Sequence, residues 1–368
     1  MLKGYRVRDY DFKLILMMLA LSIIGVLAVG SAKEDLQSKQ LAGVIGSLFL
    51  MLVISFFDYS IILKLYWLMY IGNLVLLSLV AYAGTRIGGA QRWLQIGTFR
   101  FQPSETVKII LILFFAQFIM KHKEEFNTFK IISSCIVLVA LPIILMYQQP
   151  DLSTSIVVAA IFCVVMFAGG LKYKVVIGVL AVAIPAVAIL ISLALQPGNE
   201  ILDTYQKNRI LAFVNPEEYS TAEAYQQLNA RTAIASGQLD GKGYKNNEIT
   251  SVKNGNFISE PETDFIFAII GEEFGFKGAV TVIVLLIAIS LECISVARKS
   301  KDLAGTVIAA GMGGLVAIQS FINIGVNTFI LPNTGLPLPF VSSGLTSLVS
   351  LYIGMGFVLN IRLQAKRQ

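Results

Sequence analysis

Charge is scarce in this chain. Charged residues occupy only 14% of the 368 positions, where a soluble domain carries about 25%. With 56% hydrophobic residues and a mean hydropathy of +0.73, that scarcity excludes an ordinary soluble protein. Several apolar runs reach or exceed the roughly 18 to 20 residues that cross a bilayer, so the chain reads as an integral membrane protein. Histidine occurs once, as His122 in the charged stretch "KHKEEFNTFK". The three cysteines, Cys135, Cys163 and Cys293, fall singly in apolar runs. One histidine and scattered thiols exclude a zinc centre, and each cysteine reads as a small packing residue rather than half of a disulfide. No low-complexity tract is present. No glycine loop has the lysine and serine or threonine spacing that cradles nucleotide phosphates. The net charge of +6 calls for no nucleic-acid partner, because basic residues at the inner ends of membrane helices account for it.

The apolar pattern predicts an all-α polytopic membrane protein of about ten spans: 13–31, 40–57, 61–83, 103–120, 130–147, 152–170, 174–195, 263–296, 305–327 and 344–363. The first is expected to be an uncleaved helix, since its apolar stretch is long and further spans follow. The eighth is too long for one straight helix, and "EEFGFKG" inside it predicts a break or kink. Basic residues orient the whole. With the N-terminus inside, the inner segments hold Lys3, Arg6, Arg8, Lys13, Lys64, Lys121, Lys123, Lys130, Lys172, Lys174, Arg298, Lys299, Lys301, Arg362, Lys366 and Arg367. The short outer loops hold only Lys33, Lys39, Arg86, Arg92 and Arg100. Both termini are therefore expected in the cytoplasm. The large loop at 196–262, between spans 7 and 8, is expected outside, within one domain covering 1–368. A loop of this size is short for a separate core and is expected to pack on the outer face. Within it, "STAEAYQQLNARTAIASG" predicts a helix from about 220 to 236, ended by Gly237.

The unusual polar stretches gather at outer helix ends. They are "GGAQRWLQIGTFRFQPSETVK", "QQPDLSTS", "SEPETDF" and "LPNTGLPLPFVSSG". Any chemistry is therefore expected outside the cell, on a substrate that arrives already activated. In "FQPSETVKII", Pro103 and Ser104 start a helix, and Glu105 and Lys108, three apart, share a face. Two readings of this pair stay open: a structural ion pair, or a lysine that holds an anion beside a carboxylate. Ser259 and Glu262 have capping-box spacing with Pro261 in the first turn, which would put Asp264 in the second turn. Asp264 precedes the apolar run "FIFAII". Burial makes a carboxylate a better base, while a helix N-terminus favours its anion. Glu272 and Glu273 sit between Gly271 and Gly275 and read as caps of irregular backbone. The proline-rich "LPNTGLPLPF" reads as a rigid outer loop able to wall a cavity.

Five of these motifs carry a likeness: "RWLQIGTFRFQPSETVK", "QPDLSTS", "AIASGQLDGKGY", "TDFIFAIIGEEFGFKGA" and "LPNTGLPLPFVSSG". In this order, and over nearly the whole chain, they resemble the SEDS family (shape, elongation, division and sporulation). "TFRFQPSE" leans towards its RodA-like rather than its FtsW-like members. Two departures are visible. Ser259 and Glu262 replace a proline and a histidine common before "TDFIFA", and Ser343 and Leu345 replace the tyrosine and second glycine of "PFVSYGG".

The resemblance implies a peptidoglycan glycosyltransferase of the bacterial cell membrane. It would polymerise lipid II into β-1,4-linked glycan with inversion, beside a class B penicillin-binding protein, in cell-wall elongation or a related process. It places the general base on Asp264. Glu105, Lys108, Arg92, Arg209, Arg231 and Lys242 become candidates to hold substrate or its departing diphosphate. Gln149, Asp151, Asn333, Thr334 and Ser343 complete that set. A divalent cation (Mg2+ or Mn2+) could share the task, with Asp264 or Glu105 as oxygen ligands. A lipid II flippase and a non-catalytic scaffold for the penicillin-binding protein are the alternatives. A flippase predicts charged groups deep in several spans, and a scaffold predicts that Asp264 is freely replaceable.

Overall fold

The computed structural model describes residues 10–178 except 88, 89 and 98, then 204–218, 223–245 and 257–365, with 181, 185, 192, 196 and 251 as isolated positions. Most of the seventh expected span and much of the large loop lie outside the described residues, as do Lys3, Arg6, Arg8, Lys366 and Arg367.

The described chain is a bundle of long helices. They are α1 (Phe12–Ala32), α2 (Glu34–Ser55), α3 (Tyr59–Ile62), α4 (Tyr66–Ala83), α5 (Pro103–Lys121), α6 (Phe129–Tyr147) and α7 (Leu152–Ala168). After the large loop's α8 (Thr204–Val214) and α9 (Glu223–Ser236) come α10 (Ile266–Arg298), α11 (Leu303–Asn327) and α12 (Leu345–Leu363). A 3₁₀ turn, Leu63–Leu65, joins α3 to α4 in one 25-residue apolar span. Among the described residues, eight helices are long and apolar enough to cross a membrane, and α7 is a shorter apolar one. The chain is thus a multi-pass helical membrane protein. α5, α11 and α12 form its centre: 83%, 61% and 78% of their apolar windows are buried within the protein, against 28% for α2 and α6. α11 packs against α5, α7, α10 and α12, while α2 lies along α12 and α1 along α10.

Three local features differ from the sequence reading. The stretch after α4, expected to be loop, is a three-stranded antiparallel sheet of β1 (Thr85–Ile87), β2 (Ala90–Ile96) and β3 (Phe99–Phe101). Its sequence signals are the glycines on either side of "AQRWLQI", which are hairpin punctuation. Next, α10 begins at Ile266 rather than near Pro261, so the Ser259–Glu262 capping box does not form. The chain turns instead, with Glu260 at φ 54°. The Thr263 N–H and Oγ1 donate to the Glu260 carbonyl at 3.2 and 3.0 Å. The α10 N-terminus is capped from another helix, for the Ala268 N–H donates to Asn327 Oδ1 at 3.1 Å. Third, α2 starts earlier than expected, with Glu34 and Asp35 in its first turn, where acids favour the helix dipole.

The expected break in the eighth span is real. Gly275 has φ 63° and ψ −160° inside α10. Only a glycine fits there, because a Cβ would lie 2.4 Å from the Gly241 nitrogen. The loop after α9 fills the gap. The Phe276 and Lys277 N–H groups donate to the Gln238 and Leu239 carbonyls at 2.8 and 3.3 Å. Those of Lys242 and Gly243 donate to Glu272 and Glu273 at 2.9 and 3.0 Å. The broken backbone inside this long apolar helix is thus satisfied by protein, as such breaks in membrane helices require. As predicted, α9 ends at Ser236, just before Gly237.

Candidate active site

One end of the bundle opens into a cavity of about 420 Å³. Its walls come from β2 (Arg92, Trp93), the starts of α5 (Gln102, Glu105), α7 (Thr154) and α12 (Gly344, Thr346, Ser347), and the loop's α8 (Arg209). The turn before α10 adds Ser259, Glu260, Thr263 and Asp264, and the 328–344 loop adds Asn333, Gly335, Leu336, Pro337 and Ser343. The starts of α5, α7 and α12 lie on this rim, and the positive ends of their helix dipoles favour an anionic occupant.

Asp264 and Arg209 meet over Gly335. A Cβ added to Gly335, whose φ is 72°, would lie 3.3 Å from Asp264 Oδ2 and 3.4 Å from Arg209 Nη1. The missing side chain leaves a carboxylate and a guanidinium facing one open space. Burial pushes the Asp264 carboxyl up to about 6, against the downward pull of Arg209 and, more weakly, Arg92; Glu260 and Glu262 add to the rise. A carboxylate tuned in this way stays ionised at neutral pH yet is a better proton acceptor than a solvated one.

The Glu105–Lys108 pair is built inward. Lys108 Nζ donates to both Glu105 carboxylate oxygens and to Gln319 Oε1, each at 2.9 Å. An ammonium has three N–H groups, and all three are engaged in a side chain that is 2% exposed. Glu105 lines the cavity and Lys108 does not. Of the two readings of this pair, the geometry supports the structural one, with Lys108 behind the cavity wall and bonded to Glu105 and Gln319.

Other expected site residues divide. Arg92 reaches the cavity, with Nη1 3.6 Å from Asp151 Oδ1 and a short contact from Nη2 to the Pro150 carbonyl. Asp151 and Gln149 are buried supports. Asp151 Oδ1 caps α7 by accepting from the Thr154 N–H at 3.3 Å, and Gln149 Nε2 donates to the Leu77 carbonyl at 2.7 Å. Asn333 Oδ1 accepts from the Gly335 N–H at 3.2 Å and shapes the loop. The Thr334 carbonyl accepts from Ser153 Oγ at 2.5 Å. Ser343 lines the cavity while its N–H donates to the Glu262 carbonyl at 2.9 Å. Two cations lie elsewhere: Arg231 sits 5.4 Å from the Phe329 ring centroid, and Lys242 pairs with Glu272 at 2.9 Å. Sequence reasoning missed Trp93, Gln102, Thr154, Glu260, Thr346 and Ser347 as site residues, although the first four stood inside motifs that it singled out at outer helix ends.

The suggested cation ligands do not form a donor set. Asp264 and Glu105 share the cavity, but both Glu105 oxygens hold Lys108. Among the described residues, no three acidic, histidine or cysteine side chains gather as a metal site would require.

Comparison with known proteins agrees over the full length. The family model described as "Cell cycle protein", for the FtsW, RodA and SpoVE group, matches residues 11–367. The peptidoglycan glycosyltransferase MrdB of Escherichia coli K12 is 33% identical over 361 residues, covering 97% of this chain and 94% of that protein. The probable peptidoglycan glycosyltransferase FtsW of Trichlorobacter lovleyi is 30% identical, covering 98% and 94%. A chain from a structure concerned with the coordination of polymerization and crosslinking by a peptidoglycan synthase complex superposes with a TM-score of 0.80 at 26% identity, covering 96% of this chain and 97% of that one. The Thermus thermophilus rod shape determining protein RodA shares the fold, with a TM-score of 0.72 at 24% identity and 98% coverage of both chains.

Proposed function

Because this chain belongs to the SEDS family of FtsW, RodA and SpoVE proteins, we propose that it is a peptidoglycan glycosyltransferase whose general base is Asp264. The substrate is lipid II, a disaccharide-peptide already activated by its undecaprenyl diphosphate. The cavity faces the outside of the cell, both termini lie in the cytoplasm, and a class B penicillin-binding protein is the partner. The observation that carries the reading is the Asp264 carboxylate, raised to about 6 and set against Arg209 over the bare backbone of Gly335.

The reaction follows from those groups. The acceptor GlcNAc 4-hydroxyl gives its proton to Asp264 as its oxygen attacks the donor MurNAc anomeric carbon. The bond from that carbon to the diphosphate breaks, and the electron pair leaves with the phosphate oxygen. One displacement inverts the centre to a β-1,4 link, so no covalent enzyme intermediate is needed and a single base suffices. Charge grows on the departing diphosphate, where Arg209 and Arg92, both on the cavity wall, stabilise it. The scattering of ionisable groups along several spans that a flippase calls for is not what surrounds this cavity: they cluster at one end of the bundle, and the deep Lys108 is neutralised by its neighbour.

The test is polymerisation of labelled lipid II by the purified protein, with and without its partner. Asp264→Asn keeps size and hydrogen bonding and removes the base, and loss of general-base assistance costs roughly 10²–10⁴-fold in rate. A folded, partner-binding Asp264→Asn protein that polymerises like the parent would return the scaffold or flippase reading.

A further inference from the structure

Gln319, Asn323 and Asn327 stand four residues apart on α11, one above another on a single helix face. Each is at most 1% exposed. Buried amides in an apolar helix are costly unless bonded, and these are bonded to the two walls of the cavity. Asn323 Nδ2 donates to the Asp264 carbonyl at 2.8 Å and to the Leu336 carbonyl at 2.7 Å. Asn327 Nδ2 donates to the same Asp264 carbonyl at 3.0 Å, and its Oδ1 accepts from the Ala268 N–H at 3.1 Å. Gln319 Nε2 donates to the Pro337 carbonyl at 2.8 Å, and its Oε1 takes the third proton of Lys108 at 2.9 Å. The rungs are linked, since Asn327 Nδ2 also donates to the Asn323 carbonyl at 2.9 Å.

The pattern is selective. Asp264 and its facing loop, Gly335 to Pro337, are far apart in sequence, and Asn323 joins them through the two protons of one amide; beside it, Ser342 Oγ joins the neighbouring Thr263 carbonyl at 2.6 Å to the Leu338 N–H at 2.7 Å. Helix packing alone needs no amide there, since an apolar side chain of the same volume fills the space. What an apolar side chain lacks is the ability to hold two backbone segments in fixed register.

We propose that Gln319, Asn323 and Asn327 form a positioning ladder. It holds the Asp264 backbone against the 335–337 segment, so that the carboxylate and the Arg209 guanidinium meet the substrate in reacting geometry. Lys108 and Glu105 anchor the ladder's lower rung to α5. The inference rests on Asp264 being the base. None of the three amides touches substrate; they act through Asp264 and the loop.

Asn323→Leu keeps the branched heavy-atom outline and removes both donors, and Asn323→Ser, which adds no bulk, is the milder variant, too short to bridge both carbonyls. Each is assayed for steady-state lipid II polymerisation per folded molecule, beside Asp264→Asn and Asn360→Leu. Asn360 is a buried amide at the other end of the bundle, bonded to the Ser55 carbonyl at 2.7 Å and the Tyr59 N–H at 3.1 Å. A misplacement of about 1 Å at the reacting centre costs on the order of 10²-fold. Asn323→Leu is therefore expected to lower kcat by 10- to 100-fold while KM stays within about threefold. Asn360→Leu is expected to lower the melting temperature without that split. If Asn323→Leu fails to fold, Asn323→Ser is read by the same criterion. Parent-like kcat in the folded Asn323 variant, with Asp264→Asn inactive, overturns the ladder alone. Parent-like activity in Asp264→Asn overturns the base and the ladder's role with it.

Discussion

Lys108→Met keeps the length of the side chain, removes its charge, and leaves the Glu105 carboxylate alone in the interior. The consequence follows from three hydrogen bonds of 2.9 Å between groups that are at most 3% exposed. Removing one partner of a buried ion pair costs about 3–5 kcal/mol, because the other charge is left uncompensated. That is a large part of the 5–15 kcal/mol by which folded proteins typically exceed their unfolded states. Replacing both partners avoids the orphaned charge. Glu105→Gln/Lys108→Met should therefore lose less than the sum of the two single losses, by about 1–3 kcal/mol. The assay is denaturant or thermal unfolding of the purified protein, paired with glycan product per folded molecule. If Lys108→Met unfolds like the parent, the buried pair contributes nothing to the fold and the structural assignment is wrong. If the two single losses add strictly, the residues do not act as one unit.

Three further outcomes are expected. A base must be ionised to accept a proton, so the polymerisation rate should climb with pH through about 6, the value to which burial pushes Asp264, and level off above it. Glu260 raises that value, so Glu260→Gln should move the acidic limb to lower pH; a limb that stays put would remove Glu260 from the site's electrostatics. Cysteines placed at the exposed Glu218 and Glu124 should react with an impermeant thiol reagent from outside and inside the cell respectively, and reaction of both from one side would refute the topology.

The helices were legible because a bilayer demands length and apolarity together. Span boundaries read from the sequence fall within a few residues of the helix ends for α1, α5, α6 and α10 to α12. The break in α10 was legible too, since Gly271 and Gly275 flank paired carboxylates in an otherwise apolar run. The sheet after α4 was not, because its strands have only three to seven residues and "AQRWLQI" lacks a strict apolar–polar alternation. The start of α10 was misread for a different reason. Ser259 and Glu262 have capping-box spacing, but Glu262 is drawn off to Lys33 at 3.4 Å, and Ser259 Oγ faces Gln226 at 2.5 Å. Tertiary partners outbid a local preference worth about 1 kcal/mol.

The acidic and basic members of the site stood out because charge is rare in this chain, and a rare residue at a helix end is conspicuous. The amides of α11 did not, although "QSFINIGVN" carries them at the spacing of one helix face. Glutamine and asparagine in an apolar helix announce nothing by themselves. Their meaning lies in the carbonyls of Asp264, Leu336 and Pro337, which only the fold brings to them. The tuning of Asp264 was hidden in the same way. From sequence, burial by "FIFAII" and the pull of a helix N-terminus oppose each other with no means of ranking them. In the fold, Asp264 lies ahead of the helix rather than inside its second turn, and Asn327 meets an N–H at the helix start. The opposing pull comes instead from Arg209, delivered by the distant α8. Burial still outweighs it, which leaves a carboxylate that is charged at neutral pH and still basic enough to take a proton from a sugar hydroxyl.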